Sequence, residues 1–278
     1  MKKLIIVFLI ILLPVYPLWA QNFAAKKNRV VILPPRGSLV SGERLVYEIQ
    51  WLGFPVGNII LSVAGLERIN GREAYHIIGE AKPNRFFASL YDLRYRVDSY
   101  MDKDTYCTLR FKKTRIMQGR ESQVEICFDQ EKHTAFVTEK GDAPKMQVSR
   151  ARGRLQMQNK PSTQTLKCSQ DLFSTIYYLR LMELKEDSSY NVPIYYDKRN
   201  WITNIEVSKP WSQDFVRKGQ FNVFKARIDS DLNEMILGMR EITGTLTADG
   251  RRIPMEFRFG SGIGSFYGKI REISPSDG

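Results

Sequence analysis

The sequence predicts a mainly β protein: one antiparallel, curved sheet closed or nearly closed into a barrel or roll, with one main α-helix near residues 170–184. Two observations predict this class. Apolar and polar residues alternate with a period of two along many short segments, as in strands that bury one face. Turn dipeptides such as Asn70-Gly71 and Asp249-Gly250 fall between those segments. Because a sheet of many strands leaves exposed edges unless it curves, we expect it to bend toward closure.

The first 20 residues are typical of a secretory signal peptide. Lys2 and Lys3 precede the apolar run Leu4–Leu13, and Ala20 supplies the small residue of a cleavage site. The run is too short for a good membrane span, although an uncleaved anchor is the alternative interpretation. No cysteine lies near residue 20, which argues against a lipid anchor there. We therefore expect a soluble periplasmic protein with no transmembrane segment after cleavage of residues 1–20.

After the signal peptide we predict a flexible basic lead-in, residues 21–40, and a single β-rich domain, residues 41–274. The Pro34-Pro35-Arg36-Gly37 stretch marks the end of the lead-in. The clearest strands place one apolar face at every second position, with these members: Leu45, Tyr47, Ile49 and Trp51; Ile59, Leu61 and Val63; Val124, Ile126 and Phe128; Trp201, Thr203, Ile205 and Val207; Ile253, Met255, Phe257 and Phe259.

The main helix interrupts this strand pattern between Ser169 and Leu184. Ser169 is a candidate N-cap, and Asp171 would favour the positive end of the helix dipole. Its apolar residues recur at helical spacing in two adjacent rows. Residues 85–92 predict a shorter helical turn. The main helix could plug the end of a barrel or connect two halves of one sheet.

Arg180 has the most unusual position of any charged residue. At about 100° per residue, it falls within the apolar sector of the predicted helix. A charge directed at a core needs a partner, because its desolvation alone costs several kcal/mol. Glu183 on the helix, or Glu43 or Glu48 from a strand, could supply that partner. We favour an internal ion pair that ties the helix to the sheet over the alternative, a cation for the acidic headgroup of a ligand.

The aromatic residues on the strand faces allow two interpretations. They either fill a core, which we favour, or line a ligand cavity in a wide barrel. Periodicity does not distinguish a filled interior from a hollow one. The candidate binding residues are therefore Arg180, Glu183, Glu43, Trp51 and Tyr177.

No catalytic or metal site can be named from the sequence. His76 and His133 lack companions at metal-ligand spacing, and neither is expected to be catalytic. The Gly260–Gly264 segment looks superficially like a phosphate loop, but it lacks the following lysine and helix, so we predict a turn or bulge. We expect no cofactor.

The three cysteines allow at most one internal disulfide. Cys107 and Cys127 are the pair to consider, on neighbouring strands around a turn near Gln118–Arg120, although Cys107 would face roughly residue 130. The alternative that we favour is three buried, unpaired cysteines, among them Cys168. No Cys/His cluster supports a structural zinc ion.

The formal net charge is +12, or +10 without Lys2 and Lys3. A basic exported protein meets anionic partners such as lipid headgroups and acidic glycans, whereas nucleic acid is not expected in that compartment. Arg150, Arg152 and Arg154 would line one face of a strand and touch an anionic envelope surface. In a loop, which we favour, they are simply solvated.

Three blocks of sequence, in order and spacing, carry a resemblance to a known family. They are Gly42–Tyr47 leading through Trp51-Leu52-Gly53-Phe54-Pro55-Val56-Gly57, then Asp171–Arg180, then Thr247–Pro254 followed by Ile263-Gly264. Over roughly residues 40–273 the chain resembles the Domain of Unknown Function 3108 family of exported bacterial proteins. The resemblance implies a β-rich envelope fold without an established activity, and it carries over Arg180 as a signature position but no catalytic residue.

The expected function is non-enzymatic: binding of a lipid or other apolar or amphipathic envelope molecule, or of a protein partner. A structural or assembly component of the envelope without a small ligand is the alternative. A glycan-acting enzyme comes third, since it needs two carboxylates that face each other across a cleft. Its candidate carboxylates are Glu43, Glu48 and Glu206.

Overall fold

A computed structural model describes residues 39–90, 93–141, 163–216, 218–229, 242–261 and 264–274. The predicted signal peptide, nearly all of the lead-in, and the three arginines at 150, 152 and 154 lie outside these described residues. None of the described helices is long and apolar enough to span a membrane.

The described residues form fifteen strands and two helices. The strands are β1 (Arg44–Trp51), β2 (Phe54–Ile69), β3 (Arg72–Pro83), β4 (Leu93–Asp102), β5 (Thr108–Met117), β6 (Arg120–Asp129), β7 (Thr134–Gly141), β8 (Thr163–Gln164), β9 (Ser188–Tyr196), β10 (Arg199–Val207), β11 (Trp211–Phe215), β12 (Gly219–Asp229), β13 (Ile242–Thr247), β14 (Pro254–Ser261) and β15 (Gly264–Ser274). The helices are α1 (Arg85–Leu90) and α2 (Leu172–Leu181). Both helices fall where the sequence predicts them.

All strands belong to one antiparallel sheet. Its order is β8-β7-β6-β5-β4-β3-β2-β1-β15-β14-β13-β12-β10-β9, and β11 pairs with β12 beside this path. The last strand, β15, pairs with the first, β1, so both halves of the chain share one sheet. The predicted alternation is confirmed in β1, where Leu45, Tyr47 and Ile49 are buried and the residues between them are half-buried.

The mainly β, antiparallel prediction is confirmed, but of the two predicted forms, closed or nearly closed, the closed barrel is wrong, because within the described part of the chain the edge strands β8 and β9 share no ladder. β8 is only two residues long, so it offers little backbone to pair. Instead, β8 and the segment that follows it reach β9 and β10 through single contacts. Gln170 forms one isolated parallel bridge with Ile194, and Asn200 Nδ2 donates to the carbonyl of Gln164 at 2.8 Å.

Helix α2 lies across one end of the sheet. At its start, Asp171 contacts Ser99, near the end of β4, and Thr108, which begins β5. At its far end, Arg180 contacts Glu43, which directly precedes β1. Because the strands are antiparallel, these three positions share one end of the sheet. We call it the helix end; the opposite end, with the β1–β2, β3–β4 and β5–β6 connections, is the rim.

The N-cap of α2 is Asp171, not Ser169 as predicted. Asp171 Oδ1 accepts the backbone N–H groups of Phe173 and Ser174, and the Ser174 hydroxyl accepts the N–H of Asp171, which forms a reciprocal capping box. The Ser169 hydroxyl instead donates to the carbonyl of Leu166, outside the helix. The helix therefore begins two residues later than an N-cap at Ser169 would allow.

The cysteines are not all unpaired, and the pair considered from the sequence is also wrong. Cys107 forms a disulfide with Cys168, with Cα atoms 4.8 Å apart, and Cys127 is free. Cys127 lies on β6 opposite Arg110, on the outer face, whereas Cys107 lies in the β4–β5 loop. The chain segment that leads into α2 brings Cys168 to that loop. The disulfide therefore fixes the start of the helix to the helix end.

Candidate functional site

The predicted partner of Arg180 is Glu43. Arg180 Nη1 and Nη2 donate to Glu43 Oε1 and Oε2 at 2.6 and 2.7 Å, which is the paired geometry of a guanidinium with a carboxylate. The two side chains are only 4% and 2% exposed. Arg180 Nε donates to the carbonyl of Arg251 at 3.1 Å. Burial disfavours the charge, but the hydrogen bonds and charge of Glu43 outweigh it and raise the pKa of Arg180.

Two tyrosines enclose this ion pair. The Arg180 guanidinium carbon lies 5.0 Å from the ring centroid of Tyr177, a cation–π contact. Tyr47 donates its hydroxyl to the carbonyl of Pro254 at 2.7 Å. Burial strongly raises the pKa of both tyrosines, so both hydroxyls stay protonated. The geometry supports the favoured interpretation: Arg180 ties α2 to the sheet, and its guanidinium is already occupied by protein acceptors.

The other predicted partners of Arg180 lie elsewhere. Glu183 is exposed just beyond the end of α2. Glu48 accepts hydrogen bonds from Gln50 and Arg271, on the face of β1 opposite to the buried Tyr47. Of the carboxylates named for glycan chemistry, Glu206 is exposed on β10 and lies 3.8 Å from Arg227. Since Glu43 is buried in its ion pair and Glu48 lies on the other face, the structure does not bring these carboxylates together.

The inner face of the sheet carries an aromatic ladder from the helix end to the rim. Ring centroids are 5.5 Å apart between Tyr47 and Phe257, 6.4 Å between Phe257 and Phe259, 5.0 Å between Phe259 and Phe266, and 6.5 Å between Phe266 and Trp51. Tyr47 at the helix end is fully buried, Phe259 and Trp51 toward the rim are half-buried, and Phe266 between them is 1% exposed. Apolar surface is therefore partly accessible on the rim side of the inner face.

Further half-buried apolar residues lie beside the ladder. Strand pairing aligns Ile242 with Phe259, Ile228 with Ile242, and Ile59 with Tyr47, and alternation places them on the same inner face. We call the set Trp51, Ile59, Ile228, Ile242 and Phe259 the apolar wall. All five are half-buried, unlike the inner-face residues next to α2.

Lys113 brings a positive charge to the inner face. It is paired with Val97 and Val124, and the alternation of β5 puts it on the same face as buried Phe111. Its Nζ lies 6.0 Å from the ring centroid of Tyr196, and it forms no ion pair with any described residue. Burial, with the charge of Arg115, lowers the pKa of Lys113, although the charges of Asp197 and Glu139 act in the opposite direction. A half-buried cation of this kind gains from an anionic partner.

A buried polar cluster at the start of α2 is absent from the sequence prediction. Asp171 Oδ2 accepts the hydroxyls of Ser99 at 2.5 Å and Thr108 at 3.2 Å. Gln170 Nε2 donates to the carbonyl of Tyr106 at 2.8 Å. Burial raises the pKa of Asp171, although its hydrogen bonds work in the opposite direction. Each carboxylate oxygen is occupied, so the cluster anchors the helix rather than forming a reactive site.

His76 lies between two carboxylates on the outer face. Its Nδ1 is 2.6 Å from Glu67 Oε1 and its Nε2 is 2.9 Å from Asp98 Oδ1, while its ring stacks on Tyr100 at 4.5 Å. Burial alone would lower the pKa of His76, but the hydrogen bonds and charges of Asp98 and Glu67 raise it above the ordinary 6.5. No three His, Cys, Asp or Glu side chains in the described ranges are placed to hold a metal ion.

Comparisons with known proteins add a family and a fold. The model of the family described as "Protein of unknown function (DUF3108)" matches residues 46–271. A search of curated proteins found no match. Among solved structures, the chain is similar to a beta-barrel-like protein of Domain of Unknown Function DUF1849 from Brucella abortus, at 13% identity and a TM-score of 0.54, covering 89% of this chain and 100% of that one. A protein with a YmcC-like fold from Bacteroides fragilis aligns at 8% identity over 88% of this chain and 99% of that one, but its TM-score of 0.30 supports no conclusion.

Proposed function

This chain belongs to the DUF3108 family, and since that description assigns no function, we propose one from the geometry: a periplasmic, non-enzymatic protein that binds an apolar or amphipathic envelope molecule. The observation that carries the proposal is the half-buried apolar wall on the inner face of the sheet. Tyr47 and Tyr177 next to α2 are fully buried, whereas the five residues of the apolar wall are half-buried; the wall extends from the level of Tyr47 to the rim, around the buried ring of Phe266. Soluble proteins leave contiguous apolar surface accessible mainly where something binds.

Lys113 supports an amphipathic ligand rather than a purely apolar one. It lies on the inner face without an ion pair among the described residues, next to the aromatic ring of Tyr196. An acidic group on the ligand would pair with this ammonium, while the hydrocarbon part would cover the apolar wall. Arg180 has a different role in this proposal, because Glu43 already occupies its guanidinium.

Two observations support the periplasm as the site of action. The N-terminal 20 residues have the pattern of a secretory signal peptide. The Cys107–Cys168 disulfide is of the kind that persists in oxidising compartments and is rare in the cytosol.

The test is a fluorescence titration with the apolar probe N-phenyl-1-naphthylamine, followed by displacement with oleate. We expect the probe to bind the processed protein, and Phe259→Asp on the apolar wall to weaken that binding at least tenfold. Phe136→Asp is the matched control, since Phe136 is exposed on β7 away from the inner face. Lys113→Met should weaken oleate binding but leave the uncharged probe unaffected. Equal probe binding by both aspartate variants, or none by the parent protein, would refute the proposal in favour of a structural envelope component.

A further inference from the structure

The rim displays large apolar side chains to solvent on two neighbouring connections. Leu52 and Phe54 flank Gly53 in the β1–β2 turn and are 54% and 69% exposed, and Phe86 on α1 is 64% exposed. The two connections are joined, because Asn84 Nδ2 donates to the carbonyl of Pro55 at 2.7 Å and Asn84 N donates to that of Val56 at 3.0 Å. We call Leu52, Phe54 and Phe86 the rim patch.

The β1–β2 turn uses an unfavourable residue to expose this apolar surface. Leu52 and Gly53 have φ values of +49° and +86°, the left-handed pair of a tight hairpin turn that normally selects Asn, Asp or Gly at its first position. In two other hairpins, Asn70 and Asp197 hold the equivalent position at φ values of +50° and +48°, whereas Gln118 holds it in the β5–β6 hairpin at +49°. A leucine here has a conformational cost; part of its side chain packs over Gly264, and 54% of the residue stays exposed.

Three basic residues lie at the same end of the sheet as the rim patch. Lys82 and Arg85 lie on either side of the Pro83-Asn84 step that leads into α1, and Arg120 begins β6 directly after the neighbouring Gln118-Gly119 turn. All three are exposed, and none forms an ion pair with another described residue. Apolar side chains that protrude between unpaired cations match a bilayer surface with anionic headgroups, where the rings enter the interface and the cations stay among the phosphates.

From this arrangement we propose that the rim docks on the surface of an anionic lipid bilayer. The inference goes beyond the proposed ligand site, because it concerns the outer tips of the connections and not the inner face. Docking in this orientation would place the rim side of the apolar wall next to the membrane. Ligand transfer without full exposure to water would then become feasible.

The experiment is co-sedimentation of the processed protein, purified from the periplasm and verified by intact mass, with vesicles of phosphatidylethanolamine and phosphatidylglycerol or of phosphatidylcholine alone. We expect binding to the anionic vesicles that 0.5 M salt weakens, and at least tenfold weaker binding to phosphatidylcholine. Phe54→Ser and Phe86→Ser should each reduce the partition coefficient about tenfold. Arg85→Glu should reduce it for anionic vesicles only.

Two further variants keep the test independent of folding defects. Leu52→Asn places a residue favoured at positive φ in the turn, so it should fold as well as the parent and still lose vesicle binding about fivefold or more. Val216→Ser, at a residue that is 68% exposed in the β11–β12 connection away from the rim, should bind like the parent. No binding by the parent protein, or equal binding by Leu52→Asn and Val216→Ser, overturns the inference. Capture of a protein partner through the rim patch without vesicle binding overturns it as well.

The outcome is separable from that of the ligand proposal. Phe86→Ser should keep its affinity for N-phenyl-1-naphthylamine, because Phe86 lies on α1 outside the apolar wall; Phe54 is not used for this comparison, since it pairs with Trp51 of that wall. Conversely, Phe259→Asp should keep its vesicle binding. A failure of either proposal therefore leaves the other standing.

Discussion

Replacing Arg180 by Met should destabilise the fold strongly, because it leaves Glu43 as an isolated buried charge. The Glu43 side chain is 2% exposed, and both of its carboxylate oxygens accept hydrogen bonds from Arg180. Opposite charges about 4 Å apart attract by about 4 kcal/mol at an effective dielectric constant of 20. That agrees with the roughly 3–5 kcal/mol lost when one partner of a buried ion pair is removed. In a domain of this size, the midpoint of thermal unfolding should fall by roughly 10 °C.

The assay is urea unfolding followed by tryptophan fluorescence, for Arg180→Met, Glu43→Leu and the double variant. Each single variant should lose several kcal/mol of unfolding free energy. The double variant should recover most of that loss, because neither charge remains buried alone. An exposed ion pair, Arg44 with Glu272, is the control, and Arg44→Met there should cost under about 1 kcal/mol. A loss below about 1 kcal/mol for Arg180→Met would refute the structural role and return Arg180 to the list of ligand-binding candidates.

Three other predictions concern the anchoring of α2 and the outer face. The double variant Cys107→Ser, Cys168→Ser should lose about 4 kcal/mol of unfolding free energy, because the disulfide closes a loop with a sequence separation of 61. An unchanged urea midpoint would contradict this account. Gly79→Val should cost roughly 1–3 kcal/mol, because a Cβ there would overlap the Phe173 ring of α2, whereas Gly250→Ala, with open space around it, should have little effect. Because the pKa of His76 is raised in the folded protein, its protonation stabilises the fold below about pH 6.5, and this contribution disappears as the pH rises through that raised pKa. The unfolding free energy of His76→Gln should therefore decline less between pH 6 and 9 than that of the parent protein. Identical pH profiles for the two proteins would contradict this role of His76.

The strands could be predicted from the sequence because their apolar faces alternate over many residues. Leu45, Tyr47 and Ile49 illustrate this, since each is buried as expected. Closure of the sheet could not be predicted, because it depends on whether two distant edges meet. The edge strand β8 has only two paired residues, a property of long-range packing that its own residues do not reveal.

The position of Arg180 could be predicted in part from the same kind of periodic pattern, but its partner could not. Helical spacing directed Arg180 into the core, but three carboxylates were compatible partners, and only the placement of β1 over the end of α2 selects Glu43. The disulfide partner of Cys107 was equally undetermined, since Cys168 reaches it through the fold and not through strand pairing. Leu52 was a further indication of an exposed apolar turn, because a leucine before glycine at a hairpin tip is unusual compared with the Asn70-Gly71 turn of the same chain.

The most direct test of the central claim is native mass spectrometry of the protein purified from the periplasm without detergent. The proposed binding function predicts a co-purifying amphiphile, seen as a discrete mass added to the processed chain. Its occupancy should fall in Phe259→Asp and Lys113→Met and stay unchanged in Phe136→Asp. A bare processed chain in every preparation, together with no uptake of added oleate, would contradict the account.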